Sequence, residues 1–155
     1  MKMFKYLIII IFLSAFNLQG QTNDLNLNFL ITCFEKGQTD VLEHSAKVKF
    51  SYGGIDNVGD NYKTLKFTKT PYIFLNLTYD IDLNQCVFVQ LLMQDDKLFY
   101  KIKNEILNFK PQLIKTYNED NGIISEYKGN KFTYRIITDL INGIKMNVIV
   151  IKTNE

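Results

Sequence analysis

The side chains able to do chemistry are few, and their spacing decides what they can do. His44 is the only histidine, so a metal centre built on two imidazoles, or a histidine pair sharing a proton, cannot be assembled within one chain. Glu43, His44 and Ser45 are successive in "LEHSA", and adjacent side chains generally point away from one another. A serine nucleophile needs an oriented base and usually a strained elbow of the G-x-S-x-G kind. Ser45, Ser51 and Ser125 all lack that context. Carboxylates are the better chemical option. Asp80 and Asp82 in "YDIDLN" lie two apart, which on extended backbone puts both on one face, where they could hold a calcium ion or divide acid and base roles. The same letters make a good turn between two strands, because Asp and Asn bond to nearby backbone, and the turn is the favoured expectation. Asp56, Asp60 and Asn61 offer more oxygen ligands, but their spacing misses the EF-hand pattern. A carboxylate-dependent hydrolase would need two of Asp56, Asp60, Asp80, Asp82, Asp95 and Asp96 to converge. No cofactor is expected, since no stretch carries a cofactor-binding signature.

Cys33 and Cys86 are the only thiols, too few for a cysteine-type zinc site. Their meaning depends on the compartment. Lys2 and Lys5 precede an apolar or small run from Tyr6 to Phe16, and a polar stretch begins at Asn17. That is the layout of an export signal, with Gly20 a serviceable small residue before a cut that leaves Gln21 first. A spanning helix needs about 20 apolar residues, more than this run supplies, so no stable membrane insertion is expected once the signal is removed. No cysteine follows the run closely enough for lipid attachment. The expectation is a signal over residues 1–20, one globular domain over 21–155, and a secreted or periplasmic location. In an oxidising compartment the two cysteines read as one disulfide, Cys33 to Cys86. Its closed loop would contribute about 4 kcal/mol in the chain-entropy model. The contexts "LITCF" and "QCVFV" also suit buried free thiols.

Eighteen Lys and Arg stand against 16 Asp and Glu, and loss of the leader's two lysines brings the formal charge to zero. A neutral domain gives no reason to expect nucleic acid. No low-complexity segment and no convincing repeat is visible.

The elements that must position these groups follow from periodicity. Leu27, Leu30, Ile31 and Phe34 fall on one helical face, predicting a helix over about 23–36, capped by Thr22 or Asn23 and stopped by Gly37. From Lys47 the period changes to two, with Val48, Phe50 and Tyr52 on one face of a strand. "GGIDNVGDN" reads as a loop, and Leu65 and Phe67 mark the next strand. "YIFLNLTY" and "CVFVQLLM" are apolar at both alternating sets, as central strands are. "DDKLFYKIKNEILNFK" places Leu98, Ile102, Ile106 and Phe109 on one face, predicting a helix over about 96–110 capped by Asp95 or Asp96. Gly129-Asn130 and Asn142-Gly143 are hairpin signals in the last third. The sum is an α+β fold, a mainly antiparallel sheet of about six to seven strands with two helices packed on it. That order is compatible with several architectures, cystatin-like folds among them, and no motif diagnostic of a family accompanies it.

Two surface features remain. Asn76 in "NLT" is a glycosylation acceptor by pattern, although its place in an apolar strand favours packing. Lys47, Lys49, Lys63, Lys66 and Lys69, interleaved with Tyr52, Tyr62 and Tyr72, read as the outer positions of two early strands, where lysines more often keep an edge from aggregating and where they could also form a binding face for an acidic partner. Three functions stand open. The preferred one is an exported, non-catalytic domain that binds a protein partner, as an inhibitor, immunity-like factor or envelope accessory. The others are the carboxylate-dependent or metal-assisted hydrolase and a carrier with an apolar cavity between sheet and helix.

Overall fold

The structure is a computed structural model that describes residues 25–69, 72–119, 122–141 and 144–154. The expected leader and its cut, the caps Thr22 and Asn23, and the Asn142-Gly143 turn lie outside these. The chain opens with α1 (Leu27–Thr32), which runs into a single 3-10 turn at Cys33–Glu35. Asn26 caps α1, its Oδ1 accepting from the Phe29 amide at 2.8 Å. Gly37 does end this helical stretch, but as the N-cap of a second helix, α2 (Gln38–Lys47). The sequence pattern hides α2 because it buries only Val41 and Ser45, one turn apart, and so has no apolar stripe. Its exposed side carries a Glu43–Lys47 pair at 3.1 Å. The helix stops where Lys49 takes a left-handed φ of 66°, with its amide on Ala46 O at 2.9 Å. Lys47, Val48 and Lys49 are therefore a helix end and a turn, not the start of an alternating strand.

Eight strands follow: β1 (Ser51–Val58), β2 (Tyr62–Lys69), β3 (Ile73–Asp80), β4 (Gln85–Met93), β5 (Gln112–Glu119), β6 (Gly122–Lys128), β7 (Phe132–Ile141) and β8 (Ile144–Thr153), with α3 (Asp96–Asn108) between β4 and β5. They form one sheet in the order β1-β2-β3-β4-β8-β7-β6-β5, and every pairing is antiparallel. The α+β expectation holds, with eight strands and three helices in place of six or seven and two. The sequence reading lacks one edge strand, β5, and sets the other, β1, too early, from Lys47 to Tyr52. The "GGIDN" stretch is most of β1, and β5 precedes the hairpins of the last third. Both are exposed at nearly every position, so no alternation marks them, and they are strands only because a neighbour pairs with them.

A repeat invisible in residue identity is plain in the topology. Each half is helical at its start and continues as a four-strand meander, and the two meanders meet at β4–β8 so that strand order reads the same from either edge. The edge strands match in their irregularities too, although the shift between Thr78 and Tyr79 in the β3–β4 pairing has no counterpart in β7–β8. In β1 the register shifts between Tyr52 and Gly54 opposite Phe67 and Lys66. In β5 it shifts between Leu113 and Lys115 opposite Tyr127 and Glu126. Each edge strand thus carries one extra residue at the corresponding place, a bulge of the sort that discourages edge-to-edge association.

All described helices lie on one face. Ile73, Leu75, Leu77 and Tyr79 of β3 join Val89, Leu91 and Met93 of β4, Ile149 and Ile151 of β8 and Tyr134 and Ile136 of β7 beneath Leu30, Cys33, Phe34, Val41, Phe99, Ile102 and Ile106. Fully burying such side chains contributes about 1.5–3 kcal/mol each, the main force holding helices to sheet. Two polar contacts orient the layer. The Tyr79 hydroxyl donates to Lys36 O at 3.0 Å, and Asn147, 1% exposed, donates from Nδ2 to Asp96 Oδ1 at 2.7 Å. Lys145 and Asn147 together hold the Asp96 carboxyl below its ordinary value through hydrogen bonds.

Candidate functional site

The structure separates most of the residues the sequence proposed as a site. Lys47 is in its helical ion pair and Lys49 in the turn after α2. Lys63 and Lys69 share a parity with Leu65 and Phe67 and so lie on the helix side of β2, whereas Tyr62 and Lys66 lie on the opposite side. Lysines three apart on a strand cannot share a face. Tyr52 packs edge-on against Phe67, ring centroids 5.7 Å apart, and Tyr72 sits exposed before β3 with φ 59°. Of the eight, only Tyr62 and Lys66 lie on the helix-free face, where Lys66 pairs with Asp56.

The carboxylates also take structural roles. Asp80 Oδ1 accepts from the Leu83 amide at 3.0 Å, and Asp82 lies exposed in the same turn. Asp95 caps α3 through the Leu98 amide at 2.9 Å. The pair Asp95 and Asp96 follows β4, at the end opposite the Asp80–Asp82 turn that precedes it. Among the described residues no three His, Cys, Asp or Glu side chains come together to hold a metal ion. Cys33 and Cys86 are not bonded. Both thiols are buried, and they donate to the carbonyls of Phe29 at 3.4 Å and Phe88 at 3.5 Å, so the expected disulfide gives way to two thiols packed as small core groups. His44 stacks on Phe29 with centroids 4.6 Å apart and 11° between planes. Burial, with Lys36 and Lys47 nearby, lowers its pKa against the contact to Phe29 O.

Two surfaces stand out instead. The first is the helix-free face, where the register assembles three rows across the sheet. Tyr117, Ile124, Ile137, Val148, Leu92 and Phe74 form a row of apolar and aromatic side chains spanning β5, β6, β7, β8, β4 and β3. Beside it run Lys115, Glu126, Arg135, Val150, Gln90, Asn76 and Lys66. Asn76 donates to Gln90 at 2.9 Å in this row, which explains a polar residue in a central strand without invoking a glycan. The third row brings Lys128, Thr133, Lys152 and Phe88 together. At one end of these rows Glu126, its side chain only 9% exposed, is held by Arg135 Nε at 2.5 Å and Lys115 Nζ at 3.4 Å. Burial pushes the Glu126 carboxyl up, but Arg135 and Lys115 outweigh this and hold it below its ordinary value. One carboxylate among Lys115, Lys128, Arg135 and Lys152 leaves this quadrant strongly cationic. Sequence reasoning missed it because its members are brought together only by register. The usable signal was the Gly129-Asn130 turn, although the reversal centres one residue later, on Asn130 and Lys131, and this sets Glu126 opposite Arg135.

The second surface is a groove on the helix side, between α1, the residues after α3 and the β6–β7 turn. Its volume is about 660 Å³, and Ile31, Phe109, Pro111, Phe132 and Tyr134 line it with Lys110, Lys128 and Lys131. Phe132 is fixed from behind by Phe34, centroids 4.9 Å apart. Among the described residues no helix is long and apolar enough to cross a membrane. Set against protein-family models, curated proteins and solved structures, the chain finds no match in any of the three.

Proposed function

We propose that the chain is an exported, non-catalytic binding domain that holds a protein partner against the helix-free face of its sheet. The observation that carries the reading is the apolar row from Tyr117 to Phe74 crossing six strands on a face to which no described helix packs. Rigid strands present such a row with little conformational entropy left to lose on association, an advantage for a binding surface. The cationic quadrant around Glu126 favours a partner whose contact surface is acidic, and complementary charge sets orientation and on-rate. Asp56 of β1 pairs with Lys66 of β2, Asp95 and Asp96 start α3, and the neighbouring turns that hold Asp60, Asp80 and Asp82 gather no group of three acidic side chains among the described residues, which weighs against the hydrolase reading.

Photo-crosslinking tests this directly. A benzophenone amino acid is placed at Tyr62, Phe74 or Ile137 on the proposed face, and at Tyr100 on α3 as the control, in the source cell or its closest culturable relative. One stoichiometric protein adduct from the first three positions and none from Tyr100 is the expected result. Adducts of equal yield from Tyr100, or adducts only to the chain's own leader, would overturn the reading.

A further inference from the structure

We propose that the groove beside the β6–β7 turn is a binding site for a single-chain anionic amphiphile such as a long-chain carboxylate. It opens on the helix side of the sheet, and of its residues only Lys128, at the rim, is shared with the cationic quadrant of the opposite face. At about 660 Å³ it falls within the range of small-molecule sites. A narrower cleft of about 250 Å³ shares Ile31 and Phe109 with it and extends past α1, giving an elongated path suited to a linear chain. The walls supply an apolar, largely aromatic surface for the chain, while Lys110, Lys128 and Lys131 border the same space. No described acid pairs with these three lysines. Glu105, at the far cleft, is already engaged, its Oε2 accepting from the Leu27 amide at 2.7 Å.

The site is built in advance. Asn154 clamps the turn that forms one wall, donating to Gly129 O at 2.9 Å and Asn130 O at 3.2 Å while accepting from Thr133 Oγ1 at 2.7 Å. The Gly129 amide closes the turn on Phe132 O at 2.8 Å. A Cβ at Gly129 would come within 3.2 Å of both Phe132 O and the Tyr134 ring, so the backbone there approaches the wall as closely as glycine allows. The Tyr134 hydroxyl has no hydrogen-bond partner among the described residues, and burial raises its pKa, which keeps it a donor at neutral pH. A phenol and three ammonium groups over an apolar floor suit one anionic head on one apolar tail. Phe109, 70% exposed, stands at the lip where a tail would cover it.

The test uses protein purified as an exporting host releases it, titrated with dodecanoate, dodecyl phosphate, dodecanol and dodecyltrimethylammonium below their micelle concentrations. One equivalent of an anionic probe per chain is expected, with the cationic probe bound at least ten-fold more weakly. Preference between dodecanoate and dodecyl phosphate identifies which anion the site favours. The double variant Lys110→Gln, Lys131→Gln, which keeps Lys128 for the opposite face, should weaken the anions at least ten-fold while leaving dodecanol unchanged. Phe109→Ser, at an exposed position that leaves folding intact, should weaken all the probes that bind. Equal affinity for anionic and cationic probes, many equivalents per chain, no binding, or indifference to the lysine changes would overturn the proposal. Crosslinking on the opposite face reads out separately.

Discussion

Ser45 offers a prediction whose sign is its strength, because replacing a polar residue by alanine should make the protein more stable. Its side chain is fully buried in α2, and its hydroxyl has no hydrogen-bond partner among the described residues. The neighbouring backbone is already satisfied otherwise, with Ser45 O accepting from the Val48 and Phe50 amides at 3.3 and 3.1 Å. An unpaired buried hydroxyl costs about 1–3 kcal/mol by mutational measures. Alanine also improves helix propensity by roughly 0.5 kcal/mol or less. Against these stands the small void left by one oxygen, which forfeits a few contacts of about 0.1–0.2 kcal/mol each. The balance for Ser45→Ala is a gain of about 1 kcal/mol, or roughly 3–5 °C in Tm for a domain of this size. Urea unfolding followed by circular dichroism should show a higher midpoint at unchanged slope. A lower midpoint would refute the reasoning, since it would mean the hydroxyl holds a partner in solution that its surroundings here do not supply.

His44 predicts a pH response. Its folded pKa lies below the ordinary value, so the unfolded chain binds the proton first, and the stabilisation is complete above about pH 6.5 and lost as pH falls through the folded value. His44→Phe should flatten the stability slope between pH 7 and 5, and an unchanged slope would assign it to other groups. Asn147→Ala removes the 2.7 Å bond to Asp96 and the acceptor of the Thr138 hydroxyl. It should cost about 1–3 kcal/mol in urea unfolding, and a smaller loss would show that Lys145 alone anchors α3. Burial pushes both thiols up, Cys86 to about 12, so thiolate is scarce at neutral pH. Cys33 and Cys86 should resist a disulfide reagent in native buffer and react rapidly in urea. Rapid native labelling, or a mass two hydrogens short with no reactive thiol in urea, would contradict the free buried pair.

What could be read from the sequence was what periodicity records. The doubly apolar β3 and β4 and the stripe Leu98, Ile102, Ile106 were legible because burial on one or two faces imposes a pattern on residue type. β5 and α2 were not, and β1 was set too early, since edge strands need not alternate and α2 touches the core through only Val41 and Ser45. The same limit applied to the site. Lys63 and Lys66 looked like neighbours in the chain but point to opposite faces. Glu126 and Arg135, nine residues apart, meet only because the Gly129–Lys131 turn fixes which strand residues oppose each other. Register is a property of pairs, and single-residue composition does not encode it.

The mirrored strand order also has a kinetic side. Six of the seven pairings join strands adjacent along the chain, and only β4–β8 does not. The hairpins close short loops, whereas the β4–β8 seam must bring together residues about 60 apart, a larger loss of chain entropy. Each half can therefore zip locally and wait for the other, with the docking of β4 on β8 as the late, slow event. Substitutions confined to the seam, such as Val150→Ala, are then expected to speed unfolding more than they slow folding if docking follows the transition state, and to do the reverse if docking is the transition state. Stopped-flow chevrons on that one position would show whether two small folding units were stitched together or whether the seam itself is the nucleus.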